Sequence, residues 1–152
     1  MASTEAALRS FFQSSKFAVV GASTNTAKFG YKVFKWYVDH GLSVTPINPA
    51  APAISVDGKD YPTVASLSAL PEAEGTAVSI ITAPPVTKKT LEEAKGLGIQ
   101  AVFLQPGTFD DDVEAYAREN FATVLAGQGG AGSAGWCVLV DGERGLQAAG
   151  KL

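Results

Sequence analysis

Only one cysteine, Cys137, occurs in the 152 residues. That excludes an internal disulfide and points to a reducing compartment. A single histidine, His40, is too little for a His-rich metal site and leaves a Cys/His cluster without members. Basic residues are not in excess: twelve Lys and Arg face fifteen Asp and Glu, a formal net charge of −3. A chain with that balance does not wrap a nucleic-acid duplex. No apolar run is long enough to span a membrane. Met1-Ala2-Ser3-Thr4-Glu5 lacks the basic and apolar parts of a secretory signal. The expectation is a soluble, cytoplasmic protein.

What is present is ordinary globular material, 46% hydrophobic and 18% charged, which a disordered chain does not show. The length suits one domain over residues 1–152, with its core at about 16–140. Leu8, Phe11 and Phe12 mark a short amphipathic helix from Thr4 to Phe12. Lys16 to Gly21 reads as a buried strand, followed by a loop. Gly30, Val33, Phe34, Tyr37 and Val38 then fall on one helical face, and Gly41 stops that helix. Ser43 to Asn48 is a second strand closed by Pro49, and a proline there suits a sheet edge or strand end. Ile54 to Tyr61 is compatible with a small hairpin turning at Asp57-Gly58, and Val64 to Leu70 with a short helix.

Thr76 to Ile81 is the third main strand. Pro84-Pro85 opens a helix to Leu97, because proline fits a first helical turn. Ile99 to Leu104 is a fourth strand. Asp110-Asp111-Asp112 supplies the negative charge that a helix N-terminus favours, and that helix runs to about Asn120. Ala122 to Ala126 is a fifth strand. After the glycine-rich Gly127 to Gly135, Trp136 to Val140 is the candidate sixth strand, Asp141-Gly142 a turn, and the tail from Leu146 weakly structured. Continuous apolar strands alternating with helices predict an α/β, Rossmann-like three-layer fold with a mostly parallel five- or six-stranded sheet. In such sheets a ligand sits beyond the carboxyl ends of the strands, at the switch point.

The first strand ends in Gly21-Ala22-Ser23 and a helix starts near Lys28, Phe29 or Gly30. Free amides and the helix dipole make that junction an anion site, to which the hydroxyls of Ser23 and Thr24 can add; a plain tight turn is the alternative. It is neither G-x-G-x-x-G nor a P-loop. Lys28 opposes the helix dipole unless an anion sits there. Lys32 and Lys35 suit a solvated face, and Trp36 either a subunit contact or a partly covered surface. NAD sites place a carboxylate after the second strand and NADP sites an arginine nearby; this chain has Ile47-Asn48-Pro49-Ala50. Asn48 can bond a ribose or adenine, or close an Asx turn.

Gly21-Ala22-Ser23, Val44 to Pro49, Thr82-Ala83-Pro84-Pro85 and Phe103-Leu104-Gln105-Pro106-Gly107 together resemble the CoA-binding domain. That domain is known from the succinyl-CoA synthetase α subunit and from small stand-alone CoA-binding proteins. The likeness covers Lys16 to about Ala126. It implies a fold that binds coenzyme A. By position, Gly21, Ala22, Ser23 and Lys28 would take the phosphates, and Asn48 and Pro49 would border the adenosine. Thr82, Ala83 and Pro84 would line the path to the thiol, with Gln105 and Gly107 near the open end. The synthetase carries a phosphorylated histidine in a later domain, whereas His40 ends the first crossover helix, so succinyl-CoA synthesis is not implied. The lysine that the synthetase places after the second strand is replaced by Ala50-Ala51-Pro52-Ala53. The Asp-Arg-Cys run of small relatives is replaced by Ala126 to Gly130, with Cys137 later.

The candidate cofactor site is therefore Gly21, Ala22, Ser23, Thr24, Lys28, Phe29, Gly30, Asn48, Pro49, Thr82, Ala83, Pro84, Gln105 and Gly107. No catalytic or metal-ligating residue is assigned. Gly127 to Gly135 is either an anion nest or a mobile loop, and Cys137 either a buried inert thiol or one that exchanges with a CoA thiol. The expected partner is a small nucleotide cofactor, coenzyme A or alternatively NAD(P), without nucleic acid or membrane; a homo-oligomer or a protein partner stays open. The function read from the chain is binding of coenzyme A or an acyl-CoA through the Gly21-Ala22-Ser23 phosphate loop, as a non-catalytic binding or regulatory module. The alternatives are an NAD(P)-binding oxidoreductase-like protein, a non-catalytic subunit of an acyl-CoA enzyme, or a pure interaction domain.

Overall fold

A computed structural model describes residues 4–152; the first three residues of the leader reading lie outside it. Five parallel strands form the central sheet, in the order β2-β1-β5-β6-β7. They are β1 (Lys16–Val20), β2 (Val44–Ile47), β5 (Thr76–Ile80), β6 (Ala101–Leu104) and β7 (Thr123–Leu125). The hairpin β3 (Ala53–Val56) and β4 (Lys59–Pro62) stands apart as a two-stranded sheet. It turns at Asp57 (φ 52°) and Gly58 (φ 81°), the left-handed pair that a tight hairpin turn needs. The expected helix at Val64 to Leu70 shrinks to a single 3₁₀ turn, Leu67–Ala69.

Successive residues of a strand face opposite sides, so a doubly covered strand must be apolar throughout. In β1, Phe17 and Val19 point into one core and Ala18 and Val20 into the other. The first core is closed by α1 (Glu5–Phe12), α2 (Phe29–Asp39) and α5 (Val138–Ala148). The second is closed by α3 (Pro84–Gly96) and α4 (Asp111–Asn120). Local chemistry starts these helices where expected: Thr4 accepts the Ala7 amide at the head of α1, and Asp110 accepts the Val113 amide at the head of α4. Pro46 lies in β2, at the edge of the sheet. No helix of the described residues is long and apolar enough to cross a membrane.

The C-terminal quarter corrects the expected sixth strand. Trp136 lies outside any strand, Cys137 is the extended N-cap, and Val138 begins α5, which runs through Asp141-Gly142 and past Leu146. Two interior glycines make this helix a packing element. A β-carbon on Gly142 would stand 2.3 Å from the Trp36 ring, and one on Gly145 would stand 2.3 Å from the Phe12 ring. Trp36 is a partly covered residue, one of the two alternatives its sequence position allowed: α5 covers one side, and His40 stacks on it with ring centroids 4.1 Å apart. At an exposed position Gly→Ala strengthens a helix by roughly 0.5–1 kcal/mol. Gly96→Ala, in open space at the end of α3, is expected to follow that rule. Gly145→Ala is expected to reverse it and destabilise by about 1–3 kcal/mol, the usual range for overpacking; denaturant titration of both variants checks the sign.

Candidate functional site

The strand order reverses at β1: α2 carries the chain to β2 on one side, and β5 lies on the other. A cleft of about 730 Å³ opens there, beyond the carboxyl ends of these strands. Its wall is the turn from β1 into α2. Gly21 has φ +93°, and a β-carbon on it would meet the Ile81 carbonyl oxygen at 2.9 Å. Gly30, in the first turn of α2, is tighter still, since a β-carbon there would fall 2.1 Å from the Gly21 carbonyl oxygen. Only glycine at both positions lets the helix start against the strand end. The loop between them is locally tied: Ser23 Oγ accepts the Asn25 amide at 3.0 Å, and Asn25 Oδ1 accepts the Ala27 amide at 3.0 Å.

The start of α2 has a cation where a cap usually stands. Lys28 is its N-cap and makes no side-chain capping bond. The amides of Ala22, Ser23, Phe29 and Gly30 donate to no acceptor among the described residues. Phe29 and Gly30 are the orphan donors of the helix start, and Ala22 and Ser23 add two free amides from the turn after β1; all four sit at the wall of a cleft, beside a cation that the helix dipole disfavours by a few tenths of a kcal/mol.

At the end of the second strand the structure takes the Asx-turn alternative. Asn48 Nδ2 donates to the Ala22 carbonyl at 2.9 Å, and Oδ1 accepts the Ala50 and Ala51 amides at 2.7 and 2.9 Å. Its side chain is an Asx turn that also ties the two loops of the cleft together. Thr82 stands on the opposite wall, its hydroxyl 2.8 Å from that of Thr87 in α3. Of the candidate residues, Gly21, Ala22, Ser23, Lys28, Phe29, Gly30, Asn48, Pro49 and Thr82 line this one cleft. Thr24 is exposed outside it, and Ala83 and Pro84 serve as N-cap and first turn of α3. Gly107 is exposed in a turn at φ +85°.

Sequence reasoning missed the far wall, made by Ala65, Ser66, Leu67, Thr90 and Glu93. These residues come to the site only because the hairpin excursion returns to β2, where Val64 bridges Ile47. Glu93 Oε2 accepts the amide and the hydroxyl of Ser68, at 3.2 and 2.5 Å. No local signal marks either stretch.

A second cavity, about 470 Å³, adjoins the first and shares Phe29 and Ile81 with it. Gln105 lines this one. The Gln105 side chain is buried and fully engaged: Oε1 accepts the Val138 amide at 2.8 Å, and Nε2 donates to Cys137 Sγ at 3.2 Å. Cys137 is thus not in an apolar strand but half-buried at the N-cap of α5. The glycine-rich segment is an irregular, mostly exposed loop anchored from within. It wraps the protein's own carboxylate: Asp141, fully buried, accepts the Ala131 amide at 2.9 Å and the Cys137 amide at 3.0 Å, and pairs with Arg144 at 3.2 Å. A β-carbon on Gly130 would lie 2.6 Å from that carboxylate.

Among known proteins, a family described as CoA binding domain matches residues 15–129. A curated relative, the alpha subunit of ADP-forming acetate–CoA ligase I of Pyrococcus furiosus, is 28% identical over 97 residues, which cover 62% of this chain. The chain spans only 21% of the length of that relative. A solved Thermus thermophilus protein has 25% identity and a TM-score of 0.73, over 93% of this chain and 98% of its own. A conserved hypothetical protein of Pyrococcus furiosus has 25% identity and a TM-score of 0.64, over 75% and 94%. A Pyrococcus horikoshii protein at 24% identity and a TM-score of 0.75, over 94% and 92%, shares the fold.

Asp141→Asn replaces one of two accepting oxygens by a donor facing a main-chain amide and removes the ion pair. We expect a loss of ~2 kcal/mol or more, the scale of a broken charge-assisted bond with a buried donor left over. Hydrogen exchange at residues 130–137 should quicken in the same variant; unchanged protection there would refute the anchoring role.

Proposed function

The chain belongs to the CoA-binding domain family, and from that premise we propose that the cleft at the end of β1 holds the nucleotide of coenzyme A. The diphosphate lies against the amides of Ala22, Ser23, Phe29 and Gly30, with Lys28 as counter-charge. The observation that carries this reading is the uncapped start of α2, where the residue at the cap is a lysine. A phosphate turns both liabilities into attractions, because orphan amides and the positive helix end favour an anion and the ammonium forms a charge-assisted bond to it. Asn48 and Pro49 then border the adenosine, and the Glu93 carboxylate is an acceptor for an amino group or a ribose hydroxyl.

Two features favour this ligand over a nicotinamide dinucleotide. The position after β2 that would grip an NAD ribose is Asn48, whose side chain is already spent on backbone groups. The cavity next to the cleft is lined mainly by apolar groups, which suits a thioester arm better than a carboxamide ring. The role is a binding or regulatory module. The cleft supplies hydrogen bonds and shape without a nucleophile held by a base. Ligase activity is a property of the longer Pyrococcus relative and is not carried over.

Calorimetric titration of the whole chain tests the reading. CoA should bind, and NAD and NADP should bind at least tenfold more weakly; nicotinamide selectivity would overturn the assignment. Lys28→Glu should weaken CoA at least tenfold, the ~1.5 kcal/mol or more of a charged contact. Lys35→Glu should stay within twofold, because Lys35 pairs with Asp39 away from the cleft. Equal effects of the two variants count against a local phosphate contact.

A further inference from the structure

We propose that the second cavity is an acyl chamber, which takes the apolar acyl group of a CoA thioester whose nucleotide lies in the first. The inference rests on the nucleotide reading above and deepens it, by making the ligand an acyl-CoA with an aliphatic chain rather than free CoA.

The composition of the two spaces differs sharply. The cleft is lined by Ser23, Lys28, Thr82 and Glu93 among its polar groups. The adjoining chamber has no charged residue in its wall; its side chains include Phe29, Ile81, Pro106, Leu139 and Val140. Its buried polar side chain, Gln105, is consumed at both ends by α5, and Ser133 stands exposed at the rim. A carboxylate entering the chamber would lose water and meet no charged side chain to pair with. A hydrocarbon loses nothing of the kind.

Exposure gives a second, independent argument. Large apolar side chains left open to solvent are informative when they gather. In the described residues these are Phe29 (59% exposed), Val86 (50%), Leu139 (36%), Val140 (53%) and Leu152 (63%). Phe29, Leu139 and Val140 line the chamber, and Val86 lines the cleft. Phe29 and Ile81 belong to both walls, so a single extended molecule with a charged nucleotide head and an apolar tail can occupy the two spaces together. At roughly 30 Å³ per water-sized group, the chamber's 470 Å³ exceeds the volume of a six-carbon chain.

The experiment is a calorimetric series on the whole protein with CoA, acetyl-CoA, butyryl-CoA, hexanoyl-CoA and the carboxylate-ended succinyl-CoA. Affinity should rise along the aliphatic series, by up to about fourfold per methylene, which is the ~0.8 kcal/mol of a buried CH₂. Hexanoyl-CoA should bind at least tenfold tighter than CoA, and succinyl-CoA should gain nothing. Val140→Asp should reduce the hexanoyl-to-CoA affinity ratio to near one. Val140→Ser, a milder change at an exposed position, should lower it at least threefold, so that the idea does not hang on one variant's folding. CoA binding with a flat aliphatic series, or a ratio indifferent to both substitutions, overturns the acyl chamber and leaves the nucleotide reading standing. No binding by CoA or by any thioester overturns both, CoA binding without any thioester binding overturns the chamber alone, and hexanoyl-CoA binding where CoA itself is undetectable supports the chamber.

Discussion

The contact on which the site depends is the one between Gly30 and the Gly21 carbonyl. There is no room there for even a β-carbon. That closeness seats the first turn of α2 on the end of β1, so the orphan amides of a helix start stand at the switch point of a parallel sheet. A larger residue at position 30 must push the helix away from the strand, and the amides of Phe29 and Gly30 would move with it. Asn48 completes the arrangement by tying the β2 loop to the Ala22 carbonyl. The cleft is therefore held by main-chain geometry and one amide side chain, with Lys28 as its exposed cation.

A comparable economy governs the other end of the chain. Asp141 is a buried anion inside a glycine-rich turn, satisfied by two amides and Arg144. Buried charges persist where they are paired and hydrogen-bonded. This one organises the segment that carries Cys137, Leu139 and Val140 to the second cavity. Gln105, arriving from β6, grips the first amide of α5. The chamber thus sits between two fixed points, and α5 is locked to α1 and α2 by rings that occupy the space beside Gly142 and Gly145. Polar and apolar compartments meet at Phe29 and Ile81, which is where a ligand's charged and hydrocarbon parts would divide.

Much of this was legible along the chain. Apolar runs such as Phe17 to Val20 announced strands buried on both faces, the Val33/Phe34/Tyr37 stripe announced α2, and Asp57-Gly58 announced the hairpin turn. Those signals are local: a period of two or 3.6, a cap, a left-handed pair. The error at Trp136 to Val140 came from the same reasoning. A short apolar run looks alike as a strand or as the opening of a helix, and Asp141-Gly142 reads as the turn after it. What decided the matter was the Trp36 and Phe12 rings, more than a hundred residues away.

Composition, alternation and the glycine loop after the first strand were enough to specify a parallel α/β sheet with a tight glycine junction between its first strand and crossover helix, because those features follow from periodicity and backbone chemistry within a few residues. The far wall at Ala65 to Leu67 and Glu93, the bond from Asn48 to the Ala22 carbonyl, the engaged state of Gln105 and the chamber beside the cleft were decided by tertiary structure alone. Each arises from groups brought together across long stretches of chain, and burial and hydrogen-bond satisfaction are properties of the assembled neighbourhood.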